Sequence, residues 1–196
     1  MDPRREQTVN LTVVRRATRR GLLLAAFAGA LLFSACTWAF QVSELSSASM
    51  SPTLLTGDSV LVNRIIYRLR PPRRGDIIVF HFPQTGGRDF VKRVIGVPGD
   101  VVQEQAGRFT VNGIVVHESR SAPSGGAQAL STVMEPQRVP ADRFYVLGDN
   151  WRTSLDSRFW GTVDEQEVVG KAILICWSRG THWWEVHWNR IGRWLE

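Results

Sequence analysis

Asp89-Phe90-Val91-Lys92-Arg93-Val94-Ile95-Gly96-Val97-Pro98-Gly99-Asp100 is the stretch from which the rest of the chain is read. Its first half, Phe90–Ile95, alternates in the manner of a strand. Pro98-Gly99-Asp100 then supplies turn chemistry. At its centre stands Lys92, one of only two lysines in a chain with 22 arginines. Arginine stays charged and cannot act as a base, whereas a buried lysine can lose its proton near neutral pH. Upstream, Ser47-Ala48-Ser49-Met50-Ser51-Pro52-Thr53-Leu54 follows directly on an apolar span. A serine close to a membrane and a sparingly used lysine suggest a Ser–Lys hydrolase at the membrane surface.

Outward from this stretch the pattern remains that of short strands. Val60-Leu61-Val62, Asp76–Phe82, Phe109–Val116, Phe144–Leu147 and Ala172–Trp177 are apolar or alternating runs. Turn residues separate them: Thr56-Gly57-Asp58, Arg70–Gly75, Gly86-Gly87, Asn112-Gly113 and Gly148-Asp149-Asn150. Val111-Asn112-Gly113-Ile114 is a hairpin signal. Residues 118–140, rich in Ser, Ala, Gly and Pro, read as a flexible loop or a small cap insertion. The fold class expected is mainly β, with antiparallel pairing and one N-terminal transmembrane helix.

Gly21–Phe40 contains no charged side chain, and twenty helical residues just span a bilayer core of about 30 Å. Residues 1–20 carry Arg4, Arg5, Arg15, Arg16, Arg19 and Arg20 against Asp2 and Glu6, which favours keeping them in the cytoplasm. The expected organisation is a cytoplasmic basic N-terminus over 1–20, an anchor over 21–40 and an extracytoplasmic catalytic domain over 41–196. Two other readings of the segment stand beside the anchor. One is a cleaved secretory signal, although its apolar run is long for one. The other is a lipoprotein signal ending in Phe33-Ser34-Ala35-Cys36; Arg19-Arg20-Gly21-Leu22-Leu23 also weakly resembles a twin-arginine signal.

The net charge of +6 is concentrated in the first twenty residues, so no basic, aromatic-studded face marks a nucleic-acid partner. Four His and two Cys show no metal-ligand spacing, and no phosphate loop or dinucleotide fingerprint is present. No metal or organic cofactor is expected. Cys36, in the span, and Cys176, in the body, are not expected to pair. The tail from Ser178 carries Trp183, Trp184, Trp188 and Trp194. It either packs on the sheet or forms an aromatic belt at the outer leaflet.

Three motifs occur in order: Ser49-Met50-x-Pro52-Thr53-Leu54, Lys92-Arg93-x-x-Gly96-x-Pro98-Gly99-Asp100, and Gly148-Asp149-Asn150-x-x-x-Ser154-x-Asp156-Ser157-Arg158. Together they resemble the bacterial type I signal peptidases, or leader peptidases, as do Arg158-Phe159-Trp160-Gly161 and Val169-Gly170-Lys171-Ala172. The resemblance runs from the anchor to about Trp177. It departs at Ser46, where the family often has Pro. It implies an antiparallel sheet assembly of the signal-peptidase type. Ser49 would be the nucleophile and Lys92 the general base, with Ser154 orienting the lysine amine. The Ser47 hydroxyl and the Ser49 backbone N–H would form the oxyanion hole. Asp149, Asp156 and Arg158 would support the site, and Leu45, Met50, Phe90 and Val91 would line shallow substrate pockets.

The resemblance further implies an endopeptidase that removes signal peptides from exported preproteins after small-x-small sequences. It would sit in the bacterial cytoplasmic (inner) membrane as a single-pass protein, with the secretion machinery nearby, acting as a monomer. Ser49 lies nine residues beyond Phe40, a reach of about 30 Å when fully extended, so the nucleophile stays near the outer leaflet. A self-cleaving repressor of the SOS-response type shares the Ser–Lys chemistry but lacks both the span and the third motif. A Ser-His-Asp hydrolase would need a Gly-x-Ser-x-Gly elbow, which is absent.

Overall fold

A computed structural model of the chain describes residues 22–31, 34, 37–82, 88–105, 108–118, 134–180, 182 and 184–195. It divides into one unit up to Phe40 and another from Gln41 onward. In the first, residues 22–31, 34 and 37–39 are helical. Among the described residues no helix is long and apolar enough to cross a membrane. The span expected over Gly21–Phe40 includes residues 21, 32, 33, 35 and 36, and these lie outside the described residues, as do Cys36 and the basic segment 1–20.

The second unit is mainly β. Eleven strands are found among the described residues: β1 Phe40–Glu44, β2 Asp58–Asn63, β3 Ile77–Phe82, β4 Arg88–Gly96, β5 Val101–Gln105, β6 Arg108–Val111, β7 Ile114–Glu118, β8 Met134–Arg138, β9 Arg143–Leu147, β10 Val163–Asp164 and β11 Val168–Ser178. A seven-stranded sheet runs in the order β1-β2-β11-β3-β4-β9-β10, and a four-stranded sheet in the order β7-β6-β5-β8. The ladders recorded between these strands are antiparallel.

The local sequence accounts for most of this. β2 alternates buried and half-buried residues, as a strand covered more fully on one face should. β3 is buried along almost its whole length, and its continuous apolar run Ile77–Phe80 feeds two cores at once. Ile77 and Val79 join Met50, Leu54, Val60, Val62 and Ile175 in one core. Ile78 and Phe80 join Val94, Phe144 and Val146 in another. A third core, built on Val102, Phe109, Tyr145 and Leu147, fastens the small sheet to β9. Asn112 and Gly113 both have positive φ, 52° and 79°, as a two-residue type I′ hairpin requires. The expected hairpin is therefore β6–β7.

Four strands, β1, β5, β8 and the two-residue β10, were not read from the sequence. β1 and β5 carry polar residues among their apolar ones and lack strong strand patterning. β8 falls within 118–140, where a loop or cap insertion was expected; residues 119–133 of that segment lie outside the described residues. β8 instead pairs with β5, Val101 opposite Arg138 and Glu104 opposite Met134. It is an edge strand, mostly exposed, and contains Pro136, which is tolerated at an edge because no second ladder is lost. Its Met-Glu-Pro-Gln-Arg sequence carries no buried stripe to betray it. The Gly86-Gly87 turn lies outside the described residues.

The tail packs on the sheet, the first of the two readings offered for it. Its backbone packs on β11: the Ile175 N–H donates to the Arg193 carbonyl at 3.0 Å and the Leu195 N–H to the Ile173 carbonyl at 2.9 Å, and Leu195 enters the core. The indoles of Trp184, Trp188 and Trp194 remain exposed; Trp183 is outside the described residues. Arg190 locks the tail to the start of β2. Its guanidinium donates to both oxygens of the fully buried Asp58, at 3.2 and 2.6 Å, and Ser178 Oγ donates to Asp58 at 2.6 Å. Burial opposes the Asp58 charge, but Arg190, the Leu55 N–H and Ser178 outweigh it and hold the carboxyl below its ordinary value.

Arg190→Met is therefore expected to destabilise the fold by roughly 3–5 kcal/mol, because it leaves a buried carboxylate without its cation. Urea denaturation at neutral pH measures it. Because the folded-state Asp58 pKa is depressed, its contribution is present above the ordinary carboxylate pKa and fades as pH falls through the folded value. The difference between the two proteins should narrow in that acid range.

Candidate active site

The centre of the site is a single contact. Lys92 sits midway along β4, opposite Ile78 of β3, and alternates with Val94 on one face of the strand. Strand burial leaves it only 2% exposed. Ser49 lies on the turn that follows β1 and is 9% exposed. Lys92 Nζ donates to Ser49 Oγ at 2.6 Å, and Ser47 Oγ donates to the same oxygen at 3.1 Å. Phe90 places its ring 5.6 Å from the amine.

Burial of the amine disfavours its charged form and brings Lys92 down to about 8, while Asp156 and Asp149 pull it partway back. Those two carboxylates belong to the loop that follows β9. Asp149 is held by two bonds of 2.8 Å from Arg93, the residue after Lys92. Asp156 caps the single helical turn Ser157–Trp160, accepts from the Gly148 N–H at 3.1 Å, and takes both Nε and Nη2 of Arg158 at 2.8 and 2.9 Å. Ser157 Oγ accepts from the Val146 N–H at 2.9 Å and pins the turn to β9.

The same loop clamps the turn that bears Ser49. The Asn150 N–H donates to the Ser49 carbonyl at 2.9 Å, and Asn150 Nδ2 donates to the Ala48 carbonyl at 3.0 Å. Gly148 lies beneath both. A Cβ at this position would stand 2.4 Å from the Ser49 carbonyl oxygen and 2.2 Å from Ser154 Oγ, so only a hydrogen fits.

Most of the residues expected from the sequence thus converge, with three differences. Ser154 Oγ is buried beside Gly148 but has no hydrogen-bond partner among the described residues, so the expected bond to Lys92 is not made. The Ser47 hydroxyl, expected as an oxyanion donor, donates to Ser49 Oγ itself. Met50 is fully buried in the first core and does not line the groove. Leu45, Phe90 and Val91 do line it, together with Ser43, Ser46 and Asp89, around a cavity of about 610 Å³ that opens onto Ser49 and Lys92. A neighbouring cavity of about 700 Å³ against Glu44–Ser46, Thr56, Arg179 and His187 holds neither of those groups.

Sequence reasoning gave no role to Asn150, Arg93 or Ser157. All three lie inside the motifs quoted above, so adjacency to Lys92, Asp149 and Asp156 was the available signal. Asn150 and Ser157 act through backbone contacts, which side-chain type does not announce, and Arg93 acts through its ion pair with Asp149. Among the described residues no group of three or more His, Cys, Asp or Glu is placed to hold a metal ion.

Comparison with known proteins was made against this geometry. The family model described as signal peptidase, peptidase S26, matches residues 18–177. A signal peptidase I of Leptolyngbya laminosa is 40% identical over 148 residues, covering 72% of this chain and 70% of that protein. A signal peptidase I of Bacillus caldolyticus is 40% identical over 147 residues, covering 70% and 80%. A signal peptidase I of Pseudomonas aeruginosa is 31% identical over 181 residues, and there the match covers 69% of this chain and 64% of the relative. The crystal structure of a signal peptidase I from Enterococcus faecalis shows 30% identity, with a TM-score of 0.40 over 51% of this chain and 95% of that one.

Gly148→Ala tests the packing beneath Ser49. The added methyl must displace Ser154 or the Ser49 carbonyl, and a shift of about 1 Å there is expected to lower turnover roughly 10²-fold. Steady-state cleavage assays beside far-ultraviolet circular dichroism separate this loss from unfolding.

Proposed function

The chain belongs to the signal peptidase family, peptidase S26, whose members are serine endopeptidases, and from that we propose that Ser49 and Lys92 form the catalytic dyad of an enzyme removing signal peptides from exported preproteins. The observation that carries this reading is the 2.6 Å contact between Lys92 Nζ and Ser49 Oγ inside the sheet. A serine hydroxyl is a weak nucleophile until a base within hydrogen-bond reach takes its proton. An amine with a pKa of about 8 has a substantial neutral fraction at mildly alkaline pH and remains a competent base.

The steps follow from that pair. With Lys92 neutral, its lone pair receives the Ser49 proton along the 2.6 Å line as Oγ attacks the scissile carbonyl. The tetrahedral oxyanion is met by the Ser49 backbone N–H and the Ser47 hydroxyl, whose oxygen lies 3.1 Å from Ser49 Oγ. The Lys92 ammonium then gives its proton to the departing amine, releasing the mature chain and leaving an acyl-serine. Lys92, neutral again, takes a proton from water as that water attacks the acyl carbonyl, and its ammonium returns the proton to Ser49 Oγ as the acyl–oxygen bond breaks, releasing the signal peptide with a free carboxyl group and restoring the dyad. Asp149 and Asp156 favour the transient ammonium, since both raise the Lys92 pKa. To Ser154, whose buried hydroxyl has no partner among the described residues, we assign the orienting of the Lys92 amine.

Substrate choice follows from the groove. Leu45, Phe90 and Val91 give it apolar walls. We assign to those walls the small residues at the first and third positions before the cut. The charge-free stretch 21–40, preceded by six arginines, supports a single-pass anchor with its N-terminus inside and the peptidase on the outer face of the bacterial cytoplasmic membrane. There a preprotein's cleavage site emerges just beyond its own apolar stretch.

Ser49→Ala and Lys92→Met are each expected to lower kcat by about 10⁴-fold or more in cleavage of a purified preprotein, with no loss of folded protein. A Lys92→Met enzyme that still cuts at the intact rate removes lysine as the base. In the intact chain, kcat/KM should fall as pH drops below about 8, because protonated Lys92 cannot accept the serine proton. A profile flat through that region would place the proton acceptor elsewhere.

A further inference from the structure

The groove has an acidic end that the mechanism above does not use. Asp89 lines the same cavity as Ser49 and Lys92, three residues before the lysine on β4. His81, its cross-strand neighbour on β3, holds Asp89 Oδ1 at 2.5 Å. Gln41 Nε2, on β1, donates to Oδ2 at 3.4 Å. That second bond is long, so Oδ2 keeps room for a stronger donor. The Asp89 side chain is 26% exposed, and its ion-pair partner among the described residues is a histidine rather than a lysine or arginine. Of the other charged groups lining the cavity, Glu44 is paired with Arg179 at 2.5 Å, and Arg88 alternates to the other face of β4.

Strand geometry decides what reaches this carboxylate. β4 pairs with β3 over Arg88–Arg93 but with β9 only from Arg93 onward. Over Arg88–Lys92 its second edge therefore carries no ladder among the described residues. β1 is the outer strand of the same sheet. The Ser49–Lys92 contact joins the segment that follows β1 to β4 at one end of the groove, and the Gln41–Asp89 bond joins β1 to β4 at the other. A peptide laid between these edges with its scissile carbonyl at Ser49 is extended, and its side chains alternate between two faces. Val91 and Asp89 share one face of β4, opposite Val79 and His81 of β3. Val91 packs on the core that contains Leu45. The first and third positions before the cut were assigned to these apolar walls. The next position on that face is the fifth, just as Asp89 is the next residue beyond Val91 on the wall.

We propose that Asp89 is a specificity-determining residue, which favours a cationic side chain at the fifth position before the cut and disfavours an acidic one. The inference rests on the dyad reading above, because the positions are counted from Ser49. A lysine or arginine at the fifth position carries its charge past the apolar wall on a long stem and meets Asp89 Oδ2, displacing the long Gln41 bond. His81 keeps the carboxylate oriented from the other side while this happens. A glutamate there meets a like charge at the same place. The dyad end of the groove thus selects for size, and the Asp89 end selects for charge.

The test uses the full chain in non-ionic detergent micelles. Its substrates are synthetic peptides with an Ala-x-Ala cut site that differ only in Lys, Gln or Glu at the fifth position before the cut. In the intact chain at low salt, kcat/KM for the Lys peptide is expected to exceed that for the Glu peptide by about fivefold to tenfold, chiefly through KM, with Gln between them. The preference should shrink as salt is raised. Asp89→Asn should bring the Lys-to-Glu ratio to within about twofold, Asp89→Glu should keep its direction, and Asp89→Lys should invert it. Each ratio is taken within one enzyme, so a partly folded variant still reports it. The same swap at the fourth position, which faces away from Asp89, should not respond to Asp89→Asn. An intact-chain ratio near one, a ratio unchanged in Asp89→Asn and Asp89→Lys, or a response at the fourth position in place of the fifth overturns the proposal. Ser49→Ala is assayed alongside on the Lys peptide. If it is inactive while the ratios ignore Asp89, only this inference falls. If Ser49→Ala cuts normally, the dyad reading falls and this inference with it.

Discussion

An amine is useful as a base near neutral pH only while water is kept from it, and the arrangement around Lys92 serves that requirement. The lysine is built into the middle of β4, between β3 and β9, so that sheet pairing itself provides the burial. Desolvation lowers the cost of the neutral amine, and the carboxylates of Asp149 and Asp156 limit how far the balance tips. Too little burial would leave a permanent ammonium, and too much would leave an amine too weak to take a serine proton. The pKa of about 8 reflects these two opposed effects rather than one alone.

The loop after β9 carries out both halves of that adjustment. Through Asp149 and Asp156 it supplies charge; through Asn150 and Gly148 it fixes the turn that bears Ser49. Arg93 and Arg158 keep the two carboxylates from approaching the lysine as bare charges. The same segment therefore sets the position of Ser49 and the basicity of Lys92. A change in one is felt by the other.

The sequence disclosed what side chains announce. Lys92 stood out because the chain otherwise uses arginine, and the apolar runs of β2, β3, β4, β9 and β11 follow burial closely enough to be read. The Asn112-Gly113 hairpin was visible because a type I′ turn needs positive φ at two successive residues. What stayed hidden was carried by the backbone or by the partner strand. β8 is held by its ladder to β5 and has almost nothing to bury. Met50 reads as a pocket residue beside the nucleophile, yet the turn carries it into the core, leaving Leu45, Phe90 and Val91 to form the groove.

The separations along the chain carry a kinetic consequence. Ser49 meets Lys92 across 43 residues, Ala48 meets Asn150 across 102, and Asp58 meets Arg190 across 132. Contacts of such span close large loops and form late, as in other β proteins of high contact order. During synthesis the segment bearing the nucleophile emerges long before the strand and loop that hold its base and clamp. The emerging chain therefore has Ser49 but not the Lys92 contact, and the candidate site is complete only when its distant parts have come together. Latency of this kind needs no propeptide, since the topology imposes it.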